Sequence, residues 1–269
     1  MNPYLELIRP TVCGLSAFGI IIGGIVAGTA ALSVTFALAV VAAFVICAAG
    51  NVINDWFDWQ ADKINAPKKP IPSGHVSRRS ALRYYAVLSA IGIATACLVS
   101  SPFFAIALLN WLVASAYSCK LKPMPLIKNI SVSWLGASTF LAAGLITGFA
   151  LPIGILLLFA VSFLVTLARE IIKDVEDVKG DEAVGLKTLP MLFGIRMSKI
   201  FAYLLLLIGC ALLLAPFCLD IFSVYYFIGA VPAVLLCIRS LKSDAHGARV
   251  KIKVAMYLAF LAFLLGSLM

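Results

Sequence analysis

Charge is scarce in this chain. Of its 269 residues, 12% are Asp, Glu, Lys or Arg, against about 25% in soluble domains. Polar composition is thin overall, because 63% of the residues belong to the hydrophobic set, where about 45–50% is usual. These shortages exclude an ordinary water-soluble enzyme, a disordered chain and a coiled coil. No C-x-x-C pair occurs. The seven cysteines (Cys13, Cys47, Cys97, Cys119, Cys210, Cys218 and Cys237) lie in or beside apolar runs and read as small hydrophobes. The opening MNPYLELIRP lacks the basic-then-apolar pattern of a cleaved signal.

What is present is apolar length. A helix needs about 20 apolar residues to cross a bilayer, and windows and breakers mark about nine spans. They cover approximately 11–28, 32–57, 79–100, 102–118, 129–149, 151–172, 198–217, 221–239 and 250–269. The expected fold is all-α, a polytopic bundle of one transmembrane domain over 1–269. Connections after odd spans are very short, such as Gly28–Leu32, Ser100–Pro102, Ala150–Pro152 and Cys218–Asp220. Those after even spans are polar, and two are long, near 58–78 and 173–197.

The formal net charge is +9, yet the cations form no continuous element that would grip nucleic acid. Arg9 precedes the first span, and every other Lys or Arg lies in or beside the connections after spans two, four, six and eight. The positive-inside rule then puts the N-terminus and the long loops in the cytoplasm and the C-terminus outside. His75 and His246 read as solvated loop residues, and Trp56 and Trp59 as interface anchors.

The twelve acids are concentrated. Nine fall into two clusters, Asn54–Asp62 at the end of span two and Glu170–Glu182 at the end of span six. Both contain D-x-x-D-x-x-x-D, as Asp55, Asp58 and Asp62 and as Asp174, Asp177 and Asp181. Offsets of three and four put each trio on one helical face. Like charges stacked so close repel, more so near lipid, and call for a cation. All-oxygen donors suit Mg²⁺ shared with phosphate oxygens. Asn54 adds a neutral oxygen on the same face, four residues before Asp58.

Basic loops follow both clusters, and metal-binding acids beside cations suit a diphosphate. Candidate cations are Lys63, Lys68, Lys69, Arg78 and Arg79 after the first cluster, and Lys173, Lys179, Lys187 and Arg196 around the second. Lys120 and Lys122, just beyond Tyr117, form a third group. A diphosphate head with a hydrocarbon tail matches a membrane boundary on both counts. A cation transporter is a different class of reading, but its acids belong near mid-span, and these sit at span ends.

The sequence resembles the UbiA superfamily of intramembrane prenyltransferases. The resemblance rests on Asn54-Asp55-x-x-Asp58-x-x-x-Asp62, on Asn65-x-Pro67-x-Lys69-Pro70-Ile71-Pro72-Ser73-Gly74, on Asp174-x-x-Asp177-x-x-x-Asp181, and on Tyr117 with Lys120 and Lys122, then Asn129. Lys69 stands where the family commonly has Arg, and Lys128 where Gly is expected. The segment Arg169–Asp181 with Lys187-Thr188-Leu189-Pro190 is most similar to members that join geranylgeranyl diphosphate to geranylgeranylglyceryl phosphate in archaeal lipid synthesis. Members with aromatic acceptors share the acidic motifs. The resemblance implies two Mg²⁺ ions, one held by the candidate metal ligands Asn54, Asp58 and Asp62 and the other by Asp174, Asp177 and Asp181, with an isoprenyl diphosphate donor and a lipid phosphate acceptor. In that reaction Tyr117, Glu170 and Lys122 are the candidate catalytic residues: Tyr117 for an allylic cation through its ring or oxygen unless it is an interface anchor, Glu170 for the acceptor hydroxyl unless it simply pairs with Arg169 or Lys173, and Lys122 or Arg9 for the acceptor phosphate. Lys68, Lys69, Lys120, Lys173, Lys187 and Arg79 are left for the donor phosphates.

Overall fold

The computed structural model describes residues 2–30, 33–183 and 187–268, and among these there is no strand. The helices are α1 (Pro3–Ile8), α2 (Pro10–Val26), α3 (Val34–Asn65), α4 (Arg78–Cys97), α5 (Ser101–Ala116), α6 (Ile127–Gly144), α7 (Ile153–Ala183), α8 (Leu189–Leu219), α9 (Phe227–Ser240) and α10 (Ala245–Leu268). Helices α2 to α10 take the nine expected spans in order. Among the described residues six spans (α3, α4, α5 with its following turn, α7, α8 and α10) are long and apolar enough to cross a membrane, and α2 and α9 are apolar but shorter.

Helix takes up part of the first expected loop and most of the second. Helix α3 runs on to Asn65 and α7 to Ala183, and α8 already begins at Leu189, so 58–65 and 173–183 are not loop. An apolar window reports where hydrocarbon ends, whereas i→i−4 hydrogen bonding continues through Asp, Glu and Lys turns that favour or tolerate helix. Residues 184–186 of the second connection, and Ala31 and Leu32 of the first short turn, lie outside the described residues.

The chain divides into two compact units. The first holds Met1–Gly24, Gly28–Leu121 and Leu141–Ala150, and the second Ile25–Ala27, Lys122–Phe140 and Leu151–Met269.

In the first unit, Asn2 caps α1 by accepting from the Tyr4 N–H at 2.9 Å, and Pro3 occupies the first helical position. Arg9 ends α1 in the left-handed region (φ 50°) just before Pro10. A residue preceding proline is pushed out of the right-handed helical region, and here the break separates α1 from α2. Its core is built from Ile20, Ala39, Ala42, Ile46, Phe103 and Ala107. Nearer the acidic end, Leu7, Val52, Ile71 and Val76 pack together with Trp56 and Trp59 beside them. Helix α5 runs into a π-helical turn, Tyr117–Leu121, where the Ser118 hydroxyl donates to the Ala114 carbonyl at 3.0 Å.

In the second unit α7, α8, α9 and α10 pack around Ile155, Leu158, Leu206, Tyr226, Ile252 and Phe263, all buried. Buried Tyr226 donates its hydroxyl to the Leu213 carbonyl at 2.8 Å. Gly229 lets α9 touch the α10 backbone: a Cβ there would lie 2.4 Å from the Leu258 carbonyl oxygen. Small residues serve this purpose between membrane helices. Helix α8 breaks at Gly194, whose φ of 81° with ψ of 155° suits glycine.

Candidate active site

In the first unit the final turns of α3 carry the stripe. Asp55 is buried, 4% exposed, and Asn54, Asp58 and Asp62 are half-buried. The Asn54 amide donates to Asp58 at 3.0 Å. Burying Asp55 requires a partner, and two cations supply it. The Arg9 guanidinium lies 2.5 Å from Asp55 Oδ1, and Lys69 Nζ lies 3.3 Å from the same oxygen and 2.8 Å from Asp62 Oδ2. Lys69 comes from the loop after α3. Turn bonds hold that loop, Lys69 N–H to the Ala66 carbonyl and Ser73 N–H to the Lys69 carbonyl, both 3.0 Å. The loop's own Ile71 and Val76 are buried. Burial pulls the Lys69 ammonium down, but its contacts with Asp62 and Asp55 outweigh this and hold its pKa above the usual lysine value.

Other predicted cations do different work. Arg78 lies over the rings of Trp56 and Trp59 at 4.3 and 4.7 Å, and Lys63 over Trp59 at 4.3 Å. The two tryptophans, read as interface anchors, are thus capped by cations. Lys68, Arg79 and Lys120 are exposed. Tyr117 opens the π turn and is half-buried. Arg9, expected toward an acceptor phosphate, meets Asp55.

In the second unit the stripe lies on α7. Asp174 is buried at 5%, Asp181 is half-buried and Asp177 exposed. Both Asp174 oxygens are occupied, Oδ1 by Lys128 Nζ at 2.8 Å and Oδ2 by the Asn129 amide at 3.0 Å. These two residues open α6 just after Leu126, which holds φ at 62°. Lys128 was visible in the sequence only as an unexpected side chain beside Asn129. Glu170 pairs with Arg169 at 2.5 Å, one of the two plain pairings foreseen. Lys173 and Lys187 are exposed, and Lys122 is half-buried. His246 is not a loop residue: it sits in the first turn of α10 and meets Glu176 at 2.8 Å. His75 meets the Ser73 hydroxyl at 2.6 Å.

The two stripes are built alike. In each, the first Asp is buried against a lysine from another element, and the second and third are more open. Among the described residues no three His, Cys, Asp or Glu side chains converge into a ready-made metal site. Side chains three and four apart on a helix stand about 5–6 Å apart at Cβ, so one ion bound there needs further oxygens. Mg²⁺ binds in that way, through one or two carboxylates, waters and substrate phosphate. The ammonium of Lys69 bridging Asp55 and Asp62 stands in for such a cation, and this donor set fits Mg²⁺.

The chain is similar to known proteins along nearly its whole length. The model of the UbiA prenyltransferase family matches residues 16–264. A digeranylgeranylglyceryl phosphate synthase from Methanopyrus kandleri is 40% identical, with all of both chains covered. One from Thermococcus kodakarensis is 38% identical over 98% of each. A solved structure of a digeranylgeranylglyceryl phosphate synthase superposes with a TM-score of 0.90 at 32% identity, covering 98% of this chain and 97% of its own. A UbiA homologue from Archaeoglobus fulgidus, solved with GPP and Mg²⁺, shares the fold at a TM-score of 0.74 and 20% identity, over 97% of this chain and 98% of its own. This chain is an integral membrane protein that belongs to the UbiA prenyltransferase family.

Proposed function

We propose that the chain transfers the geranylgeranyl group of geranylgeranyl diphosphate to the free hydroxyl of geranylgeranylglyceryl phosphate. The products are the second ether link of an archaeal membrane lipid and diphosphate. The observation that carries this reading is the pair of like-built carboxylate stripes, on a chain that matches synthases of that name over its full length.

In this reading Asn54, Asp58 and Asp62 hold one Mg²⁺ and Asp174, Asp177 and Asp181 a second, with 1–269 acting as one transferase domain. Bound Mg²⁺ supplies Lewis-acid neutralisation of the leaving diphosphate. Lys68, Lys69, Lys120, Lys173, Lys187 and Arg79 offset the remaining phosphate charge. As the allylic C–O bond of the donor breaks, the Tyr117 ring faces the carbon that becomes electron-poor. The acceptor oxygen bonds to that carbon and its proton passes to Glu170, which Arg169 orients. Lys122 receives the acceptor phosphate. The apolar spans take the isoprenoid tails and keep water from the cation. The reading puts the active-site loops and N-terminus in the cytoplasm and the C-terminus outside, supported by the cations on the connections after even spans and the positive-inside rule.

The test offers one labelled donor to the purified protein together with geranylgeranylglyceryl phosphate and aromatic acids. Label is expected in the phosphate-bearing diether. Label found only in an aromatic product overturns the acceptor assignment.

A further inference from the structure

Glu176 is an acid that the stripes do not use. It lies on α7 between Asp174 and Asp177, and at 100° per residue its side chain points about 200° away from Asp174. It meets α10. Arg249 Nε lies 2.5 Å from Glu176 Oε2, Arg249 Nη2 donates to Oε1 at 3.2 Å, and His246 Nδ1 lies 2.8 Å from Oε1. The Glu176 side chain is 21% exposed, that of Arg249 36% and that of His246 64%.

These contacts sit where α7 outruns its apolar packing. Ile171 and Ile172 are fully buried, but beyond Val175 the helix is half-buried or exposed. A helix end projecting in this way can roll about its axis unless it is held from more than one side. Lys128 and Asn129 hold it at Asp174 on one face, and Arg249 with His246 hold it at Glu176 on nearly the opposite face. The grip on Glu176 is one guanidinium hydrogen bond, Nη2 to Oε1, the His246 contact on the same oxygen, and a close ion-pair approach of Nε to Oε2 that is not itself a hydrogen bond.

We infer that Glu176, gripped by Arg249 and His246, is a positioning residue that sets the roll of α7 and so aims Asp177 and Asp181 at their cation. The inference rests on the reading of the second stripe as a metal site. A shift of a few tenths of an ångström matters there, because ligands act only within about 0.5 Å of their working position.

Mn²⁺ binding, measured by electron paramagnetic resonance on detergent-purified full-length protein with inorganic diphosphate, separates the two ideas. The wild type is expected to bind Mn²⁺ and Asp177→Asn to lose one ion. If the wild type binds none, the metal reading itself fails. Given wild-type binding, Arg249→Leu and Glu176→Gln are each expected to weaken it about tenfold, the range for residues that support metal ligands. The double variant should be no worse than either single, and Arg249→Lys should recover part of the loss. The same variants should raise the Mg²⁺ needed for half-maximal turnover more than they lower the maximal rate. Folded variants that bind Mn²⁺ like the wild type, whatever their thermal stability, overturn the inference. So does a double variant whose losses add.

Discussion

Replacing Lys69 by Met removes the counter-ion of the first stripe while keeping an apolar stem of similar length. Lys69 Nζ is 2.8 Å from Asp62 and 3.3 Å from Asp55. The longer contact matters less, because Asp55 keeps Arg9 at 2.5 Å. The loss therefore falls on Asp62, whose side chain is 13% exposed. A hydrogen bond to a charged group contributes about 1.5–3 kcal/mol. Solvent reaching the 30% exposed lysine screens part of it, so the expected cost is about 1–2 kcal/mol at pH 7 without metal. The pH dependence has a definite sign. Because the folded lysine's pKa is raised, its contribution is complete below the ordinary value of about 10.4 and fades as pH climbs through the higher folded value. Wild type and variant should therefore converge only in strong alkali. Mg²⁺ alone should narrow the gap at pH 7, since it gives Asp62 another cation. Denaturant unfolding in mild detergent, with EDTA and then with Mg²⁺, measures these differences. Equal stabilities in EDTA at pH 7, or a gap that widens with Mg²⁺, would refute the counter-ion role.

Two other substitutions probe separate parts of the molecule. Gly229→Ala forces a methyl group to 2.4 Å from the Leu258 carbonyl oxygen and 2.6 Å from the Ala262 nitrogen. Backbone cannot step aside as a flexible side chain can, so a stability loss of about 2–3 kcal/mol is expected, read as a lower unfolding midpoint. An unchanged midpoint contradicts the close approach of α9 and α10. Tyr117→Phe should keep most of the transfer rate if the ring faces the allylic carbon, whereas Tyr117→Ala should lower it by about 1–2 kcal/mol of barrier, roughly five- to thirtyfold. Steady-state rates with labelled donor decide this, and an inactive Tyr117→Phe would move the role to the hydroxyl.

Much of the fold was legible because a bilayer imposes one requirement on length. Apolar runs near 20 residues name the spans, and nine of the helices follow them in order. The same rule misplaced the ends. It reads hydrocarbon, so it stopped near 57 and 172, while hydrogen bonding carried α3 to Asn65 and α7 to Ala183. It also hid the start of α10 at Ala245, which is why His246 read as a loop residue. The stripes were legible because helical spacing is local. Their pairing was not, because Arg9 reaches Asp55 across 46 residues of sequence, and no local pattern encodes that choice. The same holds for Lys128 on Asp174. Sequence spacing treats the three Asp residues of a stripe as equals, whereas the fold buries only Asp55 and Asp174 among them.

Diphosphate release during a single turnover bears most directly on the role of the carboxylates. Purified protein is loaded with geranylgeranyl diphosphate and geranylgeranylglyceryl phosphate, and release is followed with Mg²⁺, with EDTA, and in Asp58→Ala and Asp177→Ala. Release matched by diether formation is expected only in wild type with Mg²⁺, with both variants still inserting and purifying normally. Release that persists in EDTA, or near-normal turnover in both variants, would contradict a metal-held diphosphate served by the two stripes.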